Sequence, residues 1–235
     1  MRIILVMTAT IRPRTGVITA IADAEQRLSE YKDALSFNLK FIGQCVDEII
    51  FAENSGSDLE ELRRIAAGFP VRFIANPQEN HPPSFGYGYS EMKLLQSVMD
   101  REEYSSDNFY VKVTGRYKIL NLCKLISRIE KTHLFYDIRN YTRNPWLDLR
   151  IMGWNQSDFN QVLRNSYKLL RDDLNNRPPE MVLAKHLMST SGVRQFAFEP
   201  NVQGRRGYDG KDWGTGLNYL KYLGRSYLRS LNLLR

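Results

Sequence analysis

Residues 2 to 9 read RIILVMTA, an apolar run that ends at Thr8 and is followed by Thr10 and Pro13. A short, continuous apolar run is typical of a strand that is buried on both faces of a parallel sheet. It is too short to cross a bilayer, since a transmembrane helix needs about 20 apolar residues. We therefore predict a buried first strand whose carboxyl end opens into a polar loop.

Strand-like and helix-like segments alternate after this first strand. We predict further strands at residues 48–52, 71–77, 109–117 and 133–140, helices at residues 17–42, 57–69 and 120–131, and a glycine-bearing loop that runs into a helix at residues 81–100. This order implies a mostly parallel sheet with right-handed crossovers and helices on both faces. From residue 144 onward we predict an antiparallel strand with a loop at 146–154 and helices at 157–174 and 180–189.

The charge and cysteine content restrict the partners of this α/β domain. The 235 residues carry a formal net charge of +7, which favours anionic ligands such as nucleotides, nucleic acids or acidic lipids. No RRM, KH or zinc-finger signature occurs, so we expect no nucleic-acid partner. Cys45 and Cys123 lack CxxC spacing, and we predict neither a zinc site nor a disulfide, in a reducing cytoplasm.

Polar and cationic residues stand where several predicted strands end. In open α/β sheets, ligands bind outside the carboxyl ends of the strands, so these residues are candidates for one site. They are Thr8 and Thr10, Asn54, Lys112, Thr114, Gly115 and Arg116, and Asp137 with Arg139. Thr8 and Thr10 also suit a helix cap, and Asn54 also suits a turn.

The stretch FYVKVTGRYKI at residues 109–119 carries the strongest signal among these strand ends. Lys112 and Arg116 put two cations beside Gly115, where a diphosphate leaving group needs neutralising. The alternative places Lys112 at a solvated sheet edge and pairs Arg116 with a carboxylate such as Asp137.

A pair of glycines begins the third predicted helix. Gly86 and Gly88 would let the backbone approach a phosphate at the helix N-terminus. Their spacing matches neither the dinucleotide fingerprint nor the P-loop pattern, so the pair alone is weak evidence.

Four short stretches together resemble a known family. ENSG at 53–56, GYGYSE at 86–91, VKVTGRY at 111–117 and YDIR at 136–139 are similar to motifs of small bacterial glycosyltransferases of capsule and lipopolysaccharide O-antigen clusters. The resemblance implies a single GT-A-like (Rossmann-like) domain that binds a nucleotide sugar. It places the donor against Thr8, Asn54, the Gly86–Ser90 loop and the segment from Lys112 to Arg116.

On this resemblance the chain divides into three parts. Residues 1–143 form the nucleotide-sugar-binding half, residues 144–215 form the acceptor-side half of the same domain, and residues 216–235 form a C-terminal helix. The predicted activity is transfer of a sugar to a polysaccharide or lipid-linked oligosaccharide. The alternative is a basic nucleotide-binding or nucleic-acid-binding protein without catalysis.

The resemblance leaves the metal and the catalytic base as separate questions. Most GT-A enzymes hold a divalent metal with a DxD motif, which this chain lacks, so Mn²⁺ or Mg²⁺ would depend on Asp137 alone. We favour a metal-independent enzyme that uses Lys112, Arg116, Arg139 or the Arg205 and Arg206 pair.

Glu180 is the candidate general base, with Asp137 as the reserve. Glu180 begins a predicted helix after two prolines, and the resemblance puts an acidic residue of this kind opposite the acceptor. The alternative is a first-turn glutamate that only complements the helix dipole.

The C-terminal segment 218–235 has the pattern of a basic amphipathic helix. One face carries Tyr219, Leu220, Leu223, Tyr227, Leu231 and Leu234, and the other carries Lys221, Arg225 and Arg229. We predict that it lies on the anionic inner face of the cytoplasmic membrane, near a polyprenyl-linked acceptor. The alternative is docking on the protein's own core or in a homodimer.

Overall fold

A computed structural model describes residues 1–16, 19–77, 80–130, 133–139, 144–207, 209–213 and 216–230. The strands are β1 Arg2–Ala9, β2 Glu48–Glu53, β3 Val71–Ala75, β4 Asn108–Thr114, β5 Lys118–Ile119, β6 Leu134–Tyr136, β7 Ile138–Arg139, β8 Trp146–Leu147, β9 Ile151–Asn155, β10 Val193–Gln195, β11 Val202–Arg205 and β12 Asp212–Trp213. The helices are α1 Ala24–Leu39, α2 Glu60–Ile65, α3 Gly86–Met99, α4 Leu122–Ile126, α5 Gln156–Asp158, α6 Pro179–Met188 and α7 Gly216–Ser230.

The central sheet has seven strands in the order β10-β6-β9-β4-β1-β2-β3. Strand β1 pairs in parallel with β2 and β4, whereas β9 runs antiparallel between β4 and β6. The predicted mostly parallel sheet is therefore confirmed. Because β9 comes from the second predicted half and lies between two strands of the first, residues 1–143 and 144–215 share one sheet.

Helices cover both faces of this sheet, as the apolar run of β1 requires. Ile3, Leu5 and Met7 belong to a core cluster that includes residues of α1, α2 and α4. Ile4 and Val6 belong to a second cluster that includes residues of α3 and α6. Alternate side chains of β1 thus enter two different cores, and this explains why the strand has no polar position from Ile3 to Met7.

The register brings the predicted polar strand ends together. Thr8 lies opposite Thr114 on one side and opposite Ala52 on the other. Just beyond β4, the Gly115 backbone N donates to the Thr8 carbonyl over 2.8 Å. A Cβ at Gly115 would lie 2.7 Å from that same oxygen. Gly115 therefore has a packing role, since only glycine allows the two chain segments to approach so closely.

Two predicted helices begin later than the sequence pattern indicated. Helix α1 starts at Ala24, because Asp23 is its N-cap and accepts from the Gln26 backbone N over 2.7 Å. The predicted start at residue 17 falls on Val17 and Ile18, which lie outside the described residues. Helix α2 starts at Glu60, three residues after the predicted start at Ser57. The Ser57 hydroxyl lies 2.9 Å from the Ser55 hydroxyl, and its backbone N donates to the Glu53 carboxylate over 3.2 Å.

The predicted helix at 157–174 is a series of short turns. Helix α5 runs into a π turn at Phe159–Leu163, and a separate 3₁₀ turn follows at Ser166–Leu170. Asn165 between them has a φ of 65°, a left-handed conformation that interrupts a helix. The predicted helices at 120–131 and 180–189 correspond to α4 and α6.

The prediction of unpaired cysteines was wrong. Cys45 and Cys123 form a disulfide, with Cα atoms 5.4 Å apart. Cys45 lies in the loop after α1, which packs on the same core cluster as Leu122 of α4. The two residues are separated by 78 positions, and sequence spacing alone gives no sign of such a contact.

No helix in the described part of the chain is long and apolar enough to cross a membrane.

Candidate active site

A cavity of about 960 Å³ lies at the carboxyl ends of β1, β2 and β4. Its wall also includes the first turn of α3 and the loop that leads into α6. The predicted site residues that line it are Thr8, Thr10, Asn54, Gly86, Thr114, Arg116, Arg139 and Glu180. Gly88, Lys112, Gly115 and Asp137 do not line it. The structure therefore brings most of the predicted site together and sets four residues apart from it.

Side-chain hydrogen bonds fix the loops after β1 and β2 to each other. The Thr10 hydroxyl donates to Asn54 Oδ1 over 2.7 Å. Behind them, the fully buried Glu53 carboxylate accepts from the backbone N of Ile11 over 3.1 Å and of Ser55 over 2.9 Å. Sequence reasoning missed this role of Glu53, although the residue stands in the ENSG stretch. A carboxylate that organises two loops gives this part of the cavity a fixed shape.

Lys112 lies beneath the cavity floor and does not enter it. Its side chain is 1% exposed, and its Nζ lies 2.7 Å from Glu91 Oε1. Nζ also donates to the Thr114 hydroxyl over 2.8 Å and to the Leu149 carbonyl. Burial lowers the pKa of Lys112, and the Glu91 carboxylate opposes that effect. Lys112 is thus already engaged by the protein's own carboxylate, and the expectation that it holds a ligand phosphate is corrected.

The cavity has a cationic side, which we call the arginine wall and define as Arg27 and Arg116. Arg27 is 7% exposed and donates to the carbonyls of Thr10 over 2.6 Å and Ile21 over 3.1 Å. Among the described contacts of Arg27 there is no carboxylate. A buried guanidinium that is bound only by neutral acceptors creates a favourable place for an anion.

Arg116, the other member of the arginine wall, pairs with a carboxylate other than Asp137, which the alternative interpretation had named. Its Nη1 donates to Glu30 of α1 over 2.7 Å, so its partner is not Asp137. Its Nε is buried and has no hydrogen-bond partner among the described residues. The guanidinium therefore keeps one unused donor although Glu30 offsets its charge.

Asp137 is locked in an ion cluster away from the cavity. It is fully buried, lies 3.2 Å from Arg139 Nη2 and accepts from Arg229. Arg139 does line the cavity, but it also contacts Asp148 over 3.1 Å and Glu199 over 3.3 Å. Because Asp137 is buried, paired with two arginines and absent from the cavity lining, it is not placed to act there as a base or as a metal ligand.

Glu180 opens helix α6 and faces the cavity. The Tyr87 hydroxyl lies 2.7 Å from its Oε1 and 2.8 Å from its Oε2. Partial burial raises the pKa of the Glu180 carboxyl, and the hydrogen bond from Tyr87 acts in the opposite direction. A carboxylate with a raised pKa at a cavity wall has the properties of a general base.

The two glycines of the GYGYSE stretch serve packing at the start of α3. Gly86 has a φ of 81°, and a Cβ there would lie 1.9 Å from Asp172 Oδ2. A Cβ at Gly88 would lie 2.3 Å from Pro179 Cβ. Both residues let α3 approach the segment before α6, so Gly88 supports the cavity from behind while Gly86 lines it.

The C-terminal helix α7 docks on the protein through cationic side chains. Arg225 Nε donates to Glu199 over 2.6 Å, and Arg229 contacts both Glu199, over 2.9 Å, and Asp137. Buried carboxylates therefore dock the cationic face. Leu231 and Leu234 lie outside the described residues.

The apolar residues of α7 point the other way. Leu220 is 62% exposed and Tyr227 is 65% exposed, and Tyr219 and Leu223 are also exposed. The helix is amphipathic as predicted, and its exposed face is the apolar one.

The described residues contain no group of three or more His, Cys, Asp or Glu side chains that would hold a metal ion. Asp137, the one candidate ligand, is enclosed by Arg139 and Arg229. These residues do not fit a divalent cation, and we derive no chemical step through one.

Comparison with known proteins finds similarity at the level of structure alone. The chain matches no protein-family model and no curated protein sequence. The glycosyltransferase GlyE of Streptococcus pneumoniae TIGR4 superposes with a TM-score of 0.54 at 7% identity, over 83% of this chain and 44% of that chain. This chain therefore spans less than half the length of GlyE.

A second solved structure is similar over most of both chains. It is a protein of Desulfovibrio desulfuricans G20 assigned as a nucleotide-diphospho-sugar transferase, with a TM-score of 0.52 at 11% identity, over 83% of this chain and 80% of that chain. At such low identity these likenesses establish the fold. The chain has a GT-A-like α/β fold, as its sequence predicted.

The ion pair between Lys112 and Glu91 under the cavity floor allows a test of the buried position of Lys112. Lys112→Met should lower the free energy of unfolding by about 3 kcal/mol, because it leaves a poorly solvated Glu91 carboxylate without its counter-ion. The double variant with Glu91→Gln should regain most of that loss. Urea denaturation measures both values. The exposed Lys32–Glu61 pair is the matched control, and Lys32→Met should change stability by less than about 1 kcal/mol. Equal costs for the two lysines would contradict the buried placement.

Proposed function

We propose that this protein transfers a sugar from a nucleotide-sugar donor to a glycan or polyprenyl-linked acceptor in bacterial surface glycan synthesis, in the capsule or lipopolysaccharide O-antigen. One observation carries the proposal. One cavity at the carboxyl ends of parallel strands, on a GT-A-like fold, is lined by both the arginine wall and Glu180. An inverting glycosyl transfer from a nucleotide sugar, which we propose here, needs both a cationic group for the diphosphate and a base for the acceptor.

The donor is proposed to lie with its diphosphate against the arginine wall. Arg27 supplies a buried positive charge that no carboxylate contacts among the described residues, and Arg116, which also lines the cavity, supplies a second guanidinium. Thr8, Thr10 and Asn54, at the ends of β1 and β2, are proposed to contact the nucleoside. This arrangement assigns the anion-binding role to Arg27 in place of Lys112.

The reaction is proposed to place the acceptor hydroxyl beside Glu180. The Glu180 carboxylate takes the hydroxyl proton while the acceptor oxygen forms a bond to the anomeric carbon of the donor sugar. The bond from that carbon to the diphosphate oxygen breaks, and its electron pair leaves with the nucleoside diphosphate. The arginine wall stabilises the negative charge that develops there.

Glu180→Gln should reduce kcat by at least about 100-fold, the range for loss of a general base, and leave donor affinity nearly unchanged. The raised pKa of Glu180 also predicts a pH dependence. The base acts when deprotonated, so kcat should fall as pH drops through a pKa above the usual glutamate value of 4.5. Tyr87→Phe removes a hydrogen bond that lowers this pKa, so it should move the acidic limb to higher pH.

Initial rates across pH, with donor affinity from calorimetry, measure these effects. Glu130→Gln is the matched control, because Glu130 is an exposed carboxylate outside the cavity. Near-normal turnover of Glu180→Gln, or a Tyr87→Phe profile identical to wild type, would exclude Glu180 as the base.

We also propose that transfer needs no divalent metal. The support is the lack of a DxD motif and the enclosure of Asp137 by two arginines. Dialysis against EDTA should leave kcat within about twofold of the untreated enzyme, whereas removal of a Lewis acid would cost several kcal/mol of transition-state stabilisation. Recovery of lost activity by Mn²⁺ or Mg²⁺ would contradict this.

The apolar face of α7 is proposed to rest on the inner surface of the cytoplasmic membrane, with the protein otherwise in the cytoplasm. It carries exposed Leu220, Leu223 and Tyr227, and the cation Lys221 is also exposed nearby. Such a face binds an interface mainly by burying apolar area. A polyprenyl-linked acceptor would be held at the same surface.

A double variant, Leu220→Ser with Tyr227→Ser, should lose most binding to vesicles that contain anionic lipid, as measured by sedimentation. Leu174→Ser is the matched control, because Leu174 is 68% exposed and lies outside α7. Unchanged sedimentation of the double variant would exclude this contact. A lower molecular mass of the double variant in analytical ultracentrifugation would instead identify the face as a homodimer interface.

A further inference from the structure

The cavity floor carries a carboxylate that sequence analysis did not single out. Glu91, in the second turn of α3, lines the cavity. Its Oε1 accepts from the hydroxyls of Thr8 over 2.8 Å and Thr114 over 2.9 Å, and lies 2.7 Å from Lys112 Nζ. Because Thr8 and Thr114 belong to paired strands, the carboxyl group is fixed relative to the centre of the sheet.

The other oxygen of this carboxyl group has no such donors. Glu91 Oε2 receives no hydrogen bond from the described residues, and it is not among the polar atoms that are buried without a partner. The side chain is 17% exposed, so Oε2 is the part of the carboxylate that reaches the cavity. The three donors occupy Oε1, and the remaining acceptor capacity therefore lies at Oε2.

We infer that Oε2 of Glu91 accepts a hydrogen bond from a hydroxyl group of the bound ligand and so recognises its polyol part. A negatively charged oxygen repels phosphate and attracts O–H donors. This position therefore suits a hydroxyl group, whereas the arginine wall suits a phosphate. The inference rests on the proposed function, since it takes the ligand to be a nucleotide sugar. The hydroxyl belongs either to the ribose or to the transferred sugar, which offer the same chemistry.

Such a contact makes Glu91 a specificity-determining residue. A ligand without the hydroxyl would leave a desolvated carboxylate oxygen unpaired, and sites of this kind discriminate strongly against the analogue that lacks the group. Lys112 and the two threonines act through Glu91, because they hold Oε1 and thereby set the direction of Oε2.

The test is calorimetric titration of the full chain with UDP, GDP and their sugar derivatives. The variant is Glu91→Gln with Lys112→Met, which removes both charges of the buried pair. In this variant the hydroxyls of Thr8 and Thr114 still donate to the amide oxygen at position 91. The amide NH₂ group then takes the place of Oε2, so a donor replaces an acceptor. Lys32→Met with Glu61→Gln is the matched control, because it removes an exposed Lys–Glu pair with a 2.6 Å contact.

The double variant should bind about tenfold or more weakly, the effect of losing a hydrogen bond to a charged group, while the control should bind as wild type does. A loss with the nucleoside diphosphates identifies the ribose hydroxyl, and a loss only with the sugar derivatives identifies the transferred sugar. Thermal melting checks folding, and Glu91→Gln alone takes the place of the double variant if that variant does not fold.

Wild-type affinity of the variant for every ligand that the wild type binds would overturn the role of Glu91 and leave the proposed function standing. If the wild-type chain binds no nucleotide or nucleotide sugar, the proposed function fails, and this inference fails with it.

Discussion

The buried ammonium of Lys112 constrains the whole candidate site. It stands on β4, which pairs with β1 and β9 in the seven-stranded sheet, and its side chain is almost completely buried. A charge in that position requires a carboxylate within contact distance, and Glu91 of α3 supplies it. This pair fixes the first turns of α3 over the ends of β1 and β4. Glu91 also accepts hydrogen bonds from Thr8 and Thr114, so the same pair holds the strand ends that line the cavity.

Burial also separates charged residues that only hold the fold together from charged residues that line the cavity. Glu53, Asp137 and Glu199 are fully buried, and each is surrounded by donors or cations from the protein itself. Glu180 and Arg27 differ from them, because Glu180 is only partly buried and Arg27 contacts no carboxylate among the described residues. The same cavity is therefore lined by a buried cation without a carboxylate partner and by a partly buried carboxylate, a distinction that net charge alone does not make.

The fold was largely predictable because its signals are local. The strands are recognisable because their apolar residues either alternate with polar ones or form a short continuous run. Polar residues at the ends of β1, β2 and β4 mark the edge of the sheet where ligands bind in such folds. Contacts between distant residues were not predictable in the same way. The Cys45–Cys123 disulfide joins residues 78 positions apart, and Arg116 pairs with Glu30 although Asp137 was the nearer choice in sequence. Glu91 belongs to the GYGYSE stretch, yet its role depends on contacts with Thr8, Thr114 and Lys112, which form only in the folded sheet.

The orientation of α7 shows why an amphipathic pattern does not by itself determine which face a helix buries. The pattern gives an apolar face and a cationic face, and a globular core normally receives the apolar one. Here Asp137 and Glu199 are fully buried, and Arg139 alone does not balance them. Docking Arg229 and Arg225 supplies the missing positive charge, and leaving the carboxylates uncompensated would cost more than exposing a few leucine and tyrosine side chains. The buried carboxylates thus determine which face of α7 remains outside, and so which surface of the protein is apolar.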